Sequence, residues 1–304
     1  MVTFTHVLCP TDLSEASLPA FRYAVTVAKW YGATLTVLHV VPSFEPLSAP
    51  SEWIGDPAPV GRVLSAEEVR AEMARLMPEN SASGLDVRYV ARAGSPVDTI
   101  IDQALDGSAD LVVMGTHGRG GFHRLLMGSV AEKVVRLAPC PVLTIPPGAS
   151  ASGQPTFSRI LCPVDFSAAS EQATGFALDL ARQAGGAVTM LSVVEWLTEE
   201  EPIDELKPDV SRLRAHMATE AAARLRALLS DESRTSCAIE ERVTYGRAHR
   251  EVIRMADEQK ADLIVMGSQG RGGVGLALFG STTQQVIRSA RCPVLIVRAP
   301  GAAA

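Results

Sequence analysis

The chain has 304 residues, 47% of them hydrophobic and 20% charged, and a net charge of −6. That length suits two domains of about 150 residues, each able to bury a core, and the composition excludes a largely disordered chain. No concentrated Lys/Arg run is present to bind a nucleic-acid backbone, and no apolar stretch reaches the ~18–20 residues of a membrane span.

Met1 leads almost directly into an apolar run, without a charged leader and cleavage site, so a soluble cytoplasmic protein is expected. Phe4 to Cys9 is the first predicted strand. Ser14 can cap a helix that runs to Tyr31 and stops at Gly32. Ala33 to Val41 is the second strand. Ser65 and Glu68 form a capping box ahead of a helix to Met77. Val87 to Ala91 is the third strand. Ser95 then precedes Pro96 at the first position of a helix to Leu105. Leu111 to Met114 is strand four, Gly128 opens a helix to Leu137, and Val142 to Ile145 is strand five.

The same order recurs in the second half, with strands near Ile160, Val188, Val243, Leu263 and Val294. Leu8-Cys9-Pro10-Thr-Asp12 returns as Leu161-Cys162-Pro163-Val-Asp165, and Cys140-Pro-Val-Leu as Cys292-Pro-Val-Leu. The offset stays at 152 or 153 residues, which marks a duplication. We read domains at 1–147 and 157–299, a Pro/Gly/Ser-rich linker at 148–156 and a tail at 300–304. Apolar strands alternating with helices imply an α/β fold, a doubly wound parallel sheet with helices on both faces. Ligands of such sheets bind at the carboxyl ends of the strands. Strand five is short and apolar in both copies, an edge that invites pairing.

Two segments break the symmetry. Pro42 to Gly61 is Pro-rich, and Glu195 to Pro208 is acidic. Each is either a solvated loop or a gate over the site. The five cysteines are odd in number and lack C-x-x-C spacing. Buried free thiols are expected, with redox or metal roles as the lesser alternative. His39 reads as a packed strand residue.

Each half carries G-x2-G-x9-G-S after a strand and before a helix. Gly115, Gly118 and Gly128-Ser129 spell it first; Gly267, Gly270 and Gly280-Ser281 spell it again. The helix start offers unsatisfied N–H groups and the positive end of the dipole, and glycine lets a phosphate approach. Arg119 and Arg271 lie on the same loops and can neutralise charge. The alternative is that these glycines serve tight turns alone. Asp12 and Asp165 end strand one, where each either faces a ligand or caps the following helix. Gly270 to Gly275 also matches G-x-G-x-x-G. No Asp or Glu follows Asp262 to hold a ribose, however, so dinucleotide binding is excluded. A Walker A loop is absent. No catalytic residue and no metal-ligand set is legible, and His117 becomes Gln269 in the second half.

These motifs, P-x-D-x-S, M-G-x-x-G-R-G-G, G-S and C-P-V-L, resemble the universal stress protein family in both halves. The resemblance implies a five-stranded parallel sheet of order 3-2-1-4-5 in each repeat. It also implies a pseudo-dimer within the chain, joined by antiparallel strand-five pairing, and whole chains able to dimerise further. Family members lacking the glycine pattern do not bind ATP; this chain keeps the pattern twice. ATP, or ADP or AMP, would sit between strands one and four, with magnesium held through the phosphates. Pro10, Thr11, Asp12 and Val40 would line the adenosine side. Met114, Gly115, His117, Gly118, Arg119, Gly128, Ser129 and Val130 would hold ribose and phosphates. The matching second-half set is Pro163, Val164, Asp165, Val193, Met266, Gly267, Gln269, Gly270, Arg271, Gly280, Ser281 and Thr282. Gln269 for His117 and Thr282 for Val130 leave the ranking of the two sites open. The expected function is nucleotide-dependent stress response or signalling with little turnover. A slow ATP hydrolase or nucleotide transferase, or an interaction scaffold with vestigial sites, are the alternatives.

Overall fold

The structure is a computed structural model that describes residues 2–42, 65–76, 84–117, 127–149, 156–195, 208–270 and 279–299. In the first half β1 (His6–Thr11) leads through a short 3-10 turn, Glu15–Ser17, into α1 (Leu18–Tyr31). Then come β2 (Thr34–Pro42), α2 (Ala66–Leu76), β3 (Val87–Gly94) and α3 (Pro96–Asp106). The half closes with β4 (Leu111–Gly115), α4 (Ser129–Leu137) and β5 (Val142–Ile145). The second half repeats this with β6 (Arg159–Pro163), α5 (Ala168–Ala184) and β7 (Ala187–Val194). It continues with α6 (Pro208–Ala227), α7 (Asp231–Ser236), β8 (Ala238–Tyr245) and α8 (Ala248–Glu258). It ends with β9 (Leu263–Gly267), α9 (Ser281–Ser289) and β10 (Val294–Val297).

Local chemistry explains most boundaries. Gly32 (φ 63°) and Gly185 (φ 62°) stop α1 and α5 in the left-handed region that glycine adopts without penalty. The capping box forms as the sequence suggests: Ser65 N–H donates to Glu68 Oε2 at 2.8 Å and Glu68 N–H to Ser65 Oγ at 3.1 Å. The first helix differs from expectation. It starts at Leu18, and Ser14 caps nothing, because its hydroxyl donates instead to Asp12 Oδ1 at 2.6 Å. The equivalent Ser167 does cap α5, accepting from Ser170 N–H at 3.3 Å. The second half also inserts α7, with no counterpart among the described residues of the first.

The two repeats form one ten-stranded sheet, ordered β3-β2-β1-β4-β5-β10-β9-β6-β7-β8. Within each half the order is 3-2-1-4-5 and all pairs are parallel. The halves meet where β5 and β10 pair antiparallel, with Leu295 opposite Leu143. Thr144 Oγ1, fully buried there, donates to Val294 O at 3.1 Å. Side chains add to the joint. Phe4 packs on Phe176, Tyr23 and Trp30 both pack on Phe157, and Glu132 pairs with Arg288. Alternating strand residues feed two apolar layers, Val7 and Cys9 on the α1/α5 side and Leu8 on the other.

All five cysteines are free and three of them, Cys9, Cys140 and Cys162, are buried. Burial pushes the Cys9, Cys140, Cys162 and Cys292 thiols up to about 12. Thiols so held are packing residues, not nucleophiles. His39 stands in β2 with Nδ1 2.8 Å from Thr11 O, tying β2 to the end of β1.

Candidate functional site

The site lies over the carboxyl ends of β1 and β4, or β6 and β9, neighbours that pair near their starts, Leu8 opposite Val112 and Leu161 opposite Ile264. Asp12 closes a turn on itself: its Oδ1 accepts from Ser14 N–H at 3.1 Å and from the Ser14 hydroxyl at 2.6 Å. Asp165 Oδ1 does the same with Ser167, at 3.1 and 2.6 Å. Between aspartate and serine the backbone turns left-handed at a non-glycine residue in both copies, Leu13 (φ 62°) and Phe166 (φ 63°). Such conformations cost energy and persist where surrounding bonds fix them. The aspartates therefore shape this turn; neither serves as the cap of α1 or α5. Ser167 Oγ also reaches Gln269 O at 3.2 Å, tying the β6 turn to the glycine loop.

The loop after β9 is closed at its base. Ser268 N–H donates to Val297 O at 2.8 Å, Gly280 N–H to Ser268 O at 3.0 Å, and Thr283 Oγ1 to Gly267 O at 2.9 Å. The first half repeats the closure, with Gly128 N–H on Thr116 O at 2.8 Å. Gly128 and Gly280 are the N-cap residues of α4 and α9, and neither helix start receives a side-chain cap. The first-turn N–H groups of α9 lack intrahelical partners, as at any helix start, and no acidic residue stands in that turn. In α4 the first-turn Glu132 is drawn aside to Gln284 Nε2 at 3.0 Å and Arg288 at 3.3 Å.

The glycines serve distinct purposes. A Cβ on Gly267 would sit 2.9 Å from the carbonyl carbon and Cβ of Ala169 and from Ser170 N, so this glycine lets α5 cross the strand end. A Cβ on Gly270 would come 2.6 Å from Asp165 Oδ2. Gly270 is not in the left-handed region; close approach to Asp165 is what it provides.

A cavity of about 720 Å³ opens in the second half over the ends of β6, β7 and β9. Eleven of the sequence-derived residues line it: Pro163, Val164, Asp165, Val193, Met266, Gly267, Gln269, Gly270, Gly280, Ser281 and Thr282. Arg271 lies outside the described residues, as do Gly118 and Arg119. So do residues 43–64 and 196–207, which hold nearly all of the two asymmetric segments. In the first half Pro10 and Thr11 end β1, Val40 lies in β2, Met114 and Gly115 end β4, and Gly128, Ser129 and Val130 open α4. His117 Nδ1 pairs with Thr116 Oγ1 at 2.9 Å, and its Nε2 is buried with no hydrogen-bond partner among the described residues. Glu195, which opens the acidic segment read as loop or gate, lines the second-half cavity too, whereas sequence reasoning missed Phe166, Phe279 and the α6 residues Met217, Glu220 and Arg224. A signal existed for Phe166 and Phe279, which flank named motif residues; the α6 set has no motif to mark it.

The universal stress protein family model matches residues 3–146 and 156–298. The chain belongs to the universal stress protein family. A universal stress protein of Mycobacterium tuberculosis is 29% identical over 296 residues, with 96% of each chain covered. The crystal structure of a universal stress protein from Archaeoglobus fulgidus superposes with a TM-score of 0.65 at 25% identity, covering 96% of this chain and 98% of that one. A functionally unknown Pseudomonas aeruginosa protein shares the fold, with a TM-score of 0.71 at 19% identity over 98% of this chain and 94% of its own. Among the described residues of this universal stress protein no helix is long and apolar enough to cross a membrane.

Proposed function

We propose that this tandem universal stress protein binds an adenine nucleotide, ATP or its products, and acts in stress response or signalling by retaining it with little turnover. The observation that carries this is the second-half cavity. Its volume of about 720 Å³ falls within the ~300–1,000 Å³ range of small-molecule sites. It joins an uncapped helix start, the Gly280-Ser281 turn of α9, to the apolar floor of Val193 and Met266. The first supplies N–H donors for phosphate and the second an apolar bed for a base. Magnesium arrives on the phosphates, as a small hard cation that keeps much of its own water. Little turnover accords with the engagement of Asp165, the aspartate of the β6 turn, whose Oδ1 already accepts two hydrogen bonds from Ser167.

The first half supports a second site, with the same uncapped Gly128 helix start and the buried His117 Nε2 left for a ligand atom. The test is to denature purified protein and identify released nucleotide by chromatography and mass, then titrate stripped protein with ATP and magnesium by calorimetry. More than one equivalent per chain is expected. Undetectable binding at millimolar ATP removes the proposal.

A further inference from the structure

The two repeats differ in charge at one wall of the site. Helices α2 and α6 occupy matching places: Val69 and Met73 of α2 are buried as Ala221 and Leu225 of α6 are, 152 positions later. In that register Arg224 takes the place of Glu72; in the turn after strand one, where the offset is 153, Phe166 takes the place of Leu13. Arg224 is exposed on α6, and its Cζ sits 4.0 Å from the centre of the Phe166 ring. Both residues line the second-half cavity. The first-half Glu72 is instead bound to its own helix through Arg75, at 2.6 and 2.9 Å.

The surrounding charges make Arg224 decisive. Three carboxylates, Asp165, Glu195 and Glu220, line the same cavity, and Arg224 is the sole cation among its described lining residues. Asp165 is engaged by Ser167, and Glu195 Oε1 accepts from Ala248 N–H at 3.0 Å at the start of α8. Among the described lining residues, Arg224 and the α9 helix start are what oppose that negative charge when a polyphosphate enters. A guanidinium stacked on an aromatic ring loses little freedom and keeps its N–H edges for an anion.

Resting on the nucleotide reading above, we infer that Arg224, seated on Phe166, selects the second-half ligand by charge. It contacts the nucleotide phosphates and makes this half the tighter of the two sites for ATP. The first half, with Glu72 and Leu13 at these positions, lacks the contact.

Calorimetry of the full chain with ATP and, separately, with adenosine tests this. Arg224→Gln should weaken the tighter ATP phase by about tenfold or more, the loss of a charge-assisted hydrogen bond. Adenosine affinity should stay within about twofold, since an uncharged ligand gains nothing from the guanidinium. Arg224→Lys, which keeps the charge without the planar stack, should recover most of the ATP affinity. Equal losses for ATP and adenosine would mean that Arg224 only packs Phe166, and would overturn the inference. So would an Arg224→Gln protein that binds ATP as the unaltered chain does. Failure of the unaltered chain to bind ATP at all would instead remove the nucleotide reading, and this inference with it.

Discussion

Replacing Gly267 with alanine should damage the fold far more than the same change at its repeat partner Gly115. The added Cβ at Gly267 would lie 2.9 Å from three atoms of α5, the carbonyl carbon and Cβ of Ala169 and Ser170 N. Carbon atoms pack well at ~3.5–4.0 Å, so the first turn of α5 must retreat by about 0.5–1 Å. Two of those atoms are backbone, and α5 is anchored by Ser167 and a wholly buried face, so no flexible side chain can absorb the shift. Overpacking of this kind costs about 1–3 kcal/mol. At Gly115 the nearest atoms are His117 O at 3.3 Å and Ala16 O at 3.6 Å, because the 3-10 turn before α1 holds the chain further off. We expect a cost below about 1 kcal/mol there. Domains of this size lose about 2–4 °C of melting temperature per kcal/mol, so Gly267→Ala should melt several degrees lower than Gly115→Ala. Thermal unfolding by circular dichroism, backed by urea titration, measures the difference. If Gly115→Ala were the equal or the worse of the two, the packing account of the first motif glycine would fall.

Two further outcomes are expected. The thiols of Cys9, Cys140, Cys162 and Cys292, raised from 9.0 to about 12 by burial, ionise more readily in the unfolded chain. Their contribution is therefore complete below pH 9 and falls as pH rises towards about 12, by up to ~1.4 kcal/mol per thiol per pH unit; a urea midpoint that does not fall between pH 8 and 10 contradicts it. At the joint between halves, Glu132→Ala should cost less than about 1 kcal/mol, as a partly exposed ion pair does. Leu143→Ala, which empties the buried position opposite Leu295, should cost about 2–5 kcal/mol. A reversed order in urea denaturation would show that charge, not the apolar strand pair, holds the halves together.

The repeat and the strand-to-helix order were legible because they rest on local signals repeated at a fixed offset; the strand order and most of the second-half lining came through the resemblance those signals carry. Glycine spacing, the Pro-x-Asp turn and the strand-to-helix order all survive in a single sequence. What escaped depends on register between distant segments. Arg224 reaches the site because α6 packs over β7 and β8, and no nearby motif reports that placement. The left-handed turns at Leu13 and Phe166 were hidden as well, since neither residue type advertises a positive φ. The roles of the motif glycines were only partly readable. Spacing suggested phosphate approach for Gly270, and the resemblance placed Gly267 on the ribose and phosphates, yet Gly267 first answers to the packing of α5 and Gly270 to the closeness of Asp165.

The point of fusion between the halves follows from the same chemistry. A sheet of five strands has two edges, and an exposed edge is a template for pairing unless it is blunted. The inner edges, β5 (Val142–Ile145) and β10 (Val294–Val297), carry no charge, and all eight of their residues are buried in the joined sheet. Left open, either would offer apolar side chains together with unpaired N–H and C=O groups. The outer edges are of the opposite kind. Strand β3 carries Arg88 and Arg92, and β8 carries Glu240, Glu241 and Arg242, with Arg88, Glu240 and Arg242 all about half or more exposed. Charge at those edges discourages a further strand from adding. The sheet therefore grows once, at its apolar edge, and stops at its charged ones. That single pairing turns a duplicated chain into one body. It also sets the strand ends that carry the glycine loops facing away from one another along opposed strands, so that each repeat keeps its own site and the two remain free to diverge in charge.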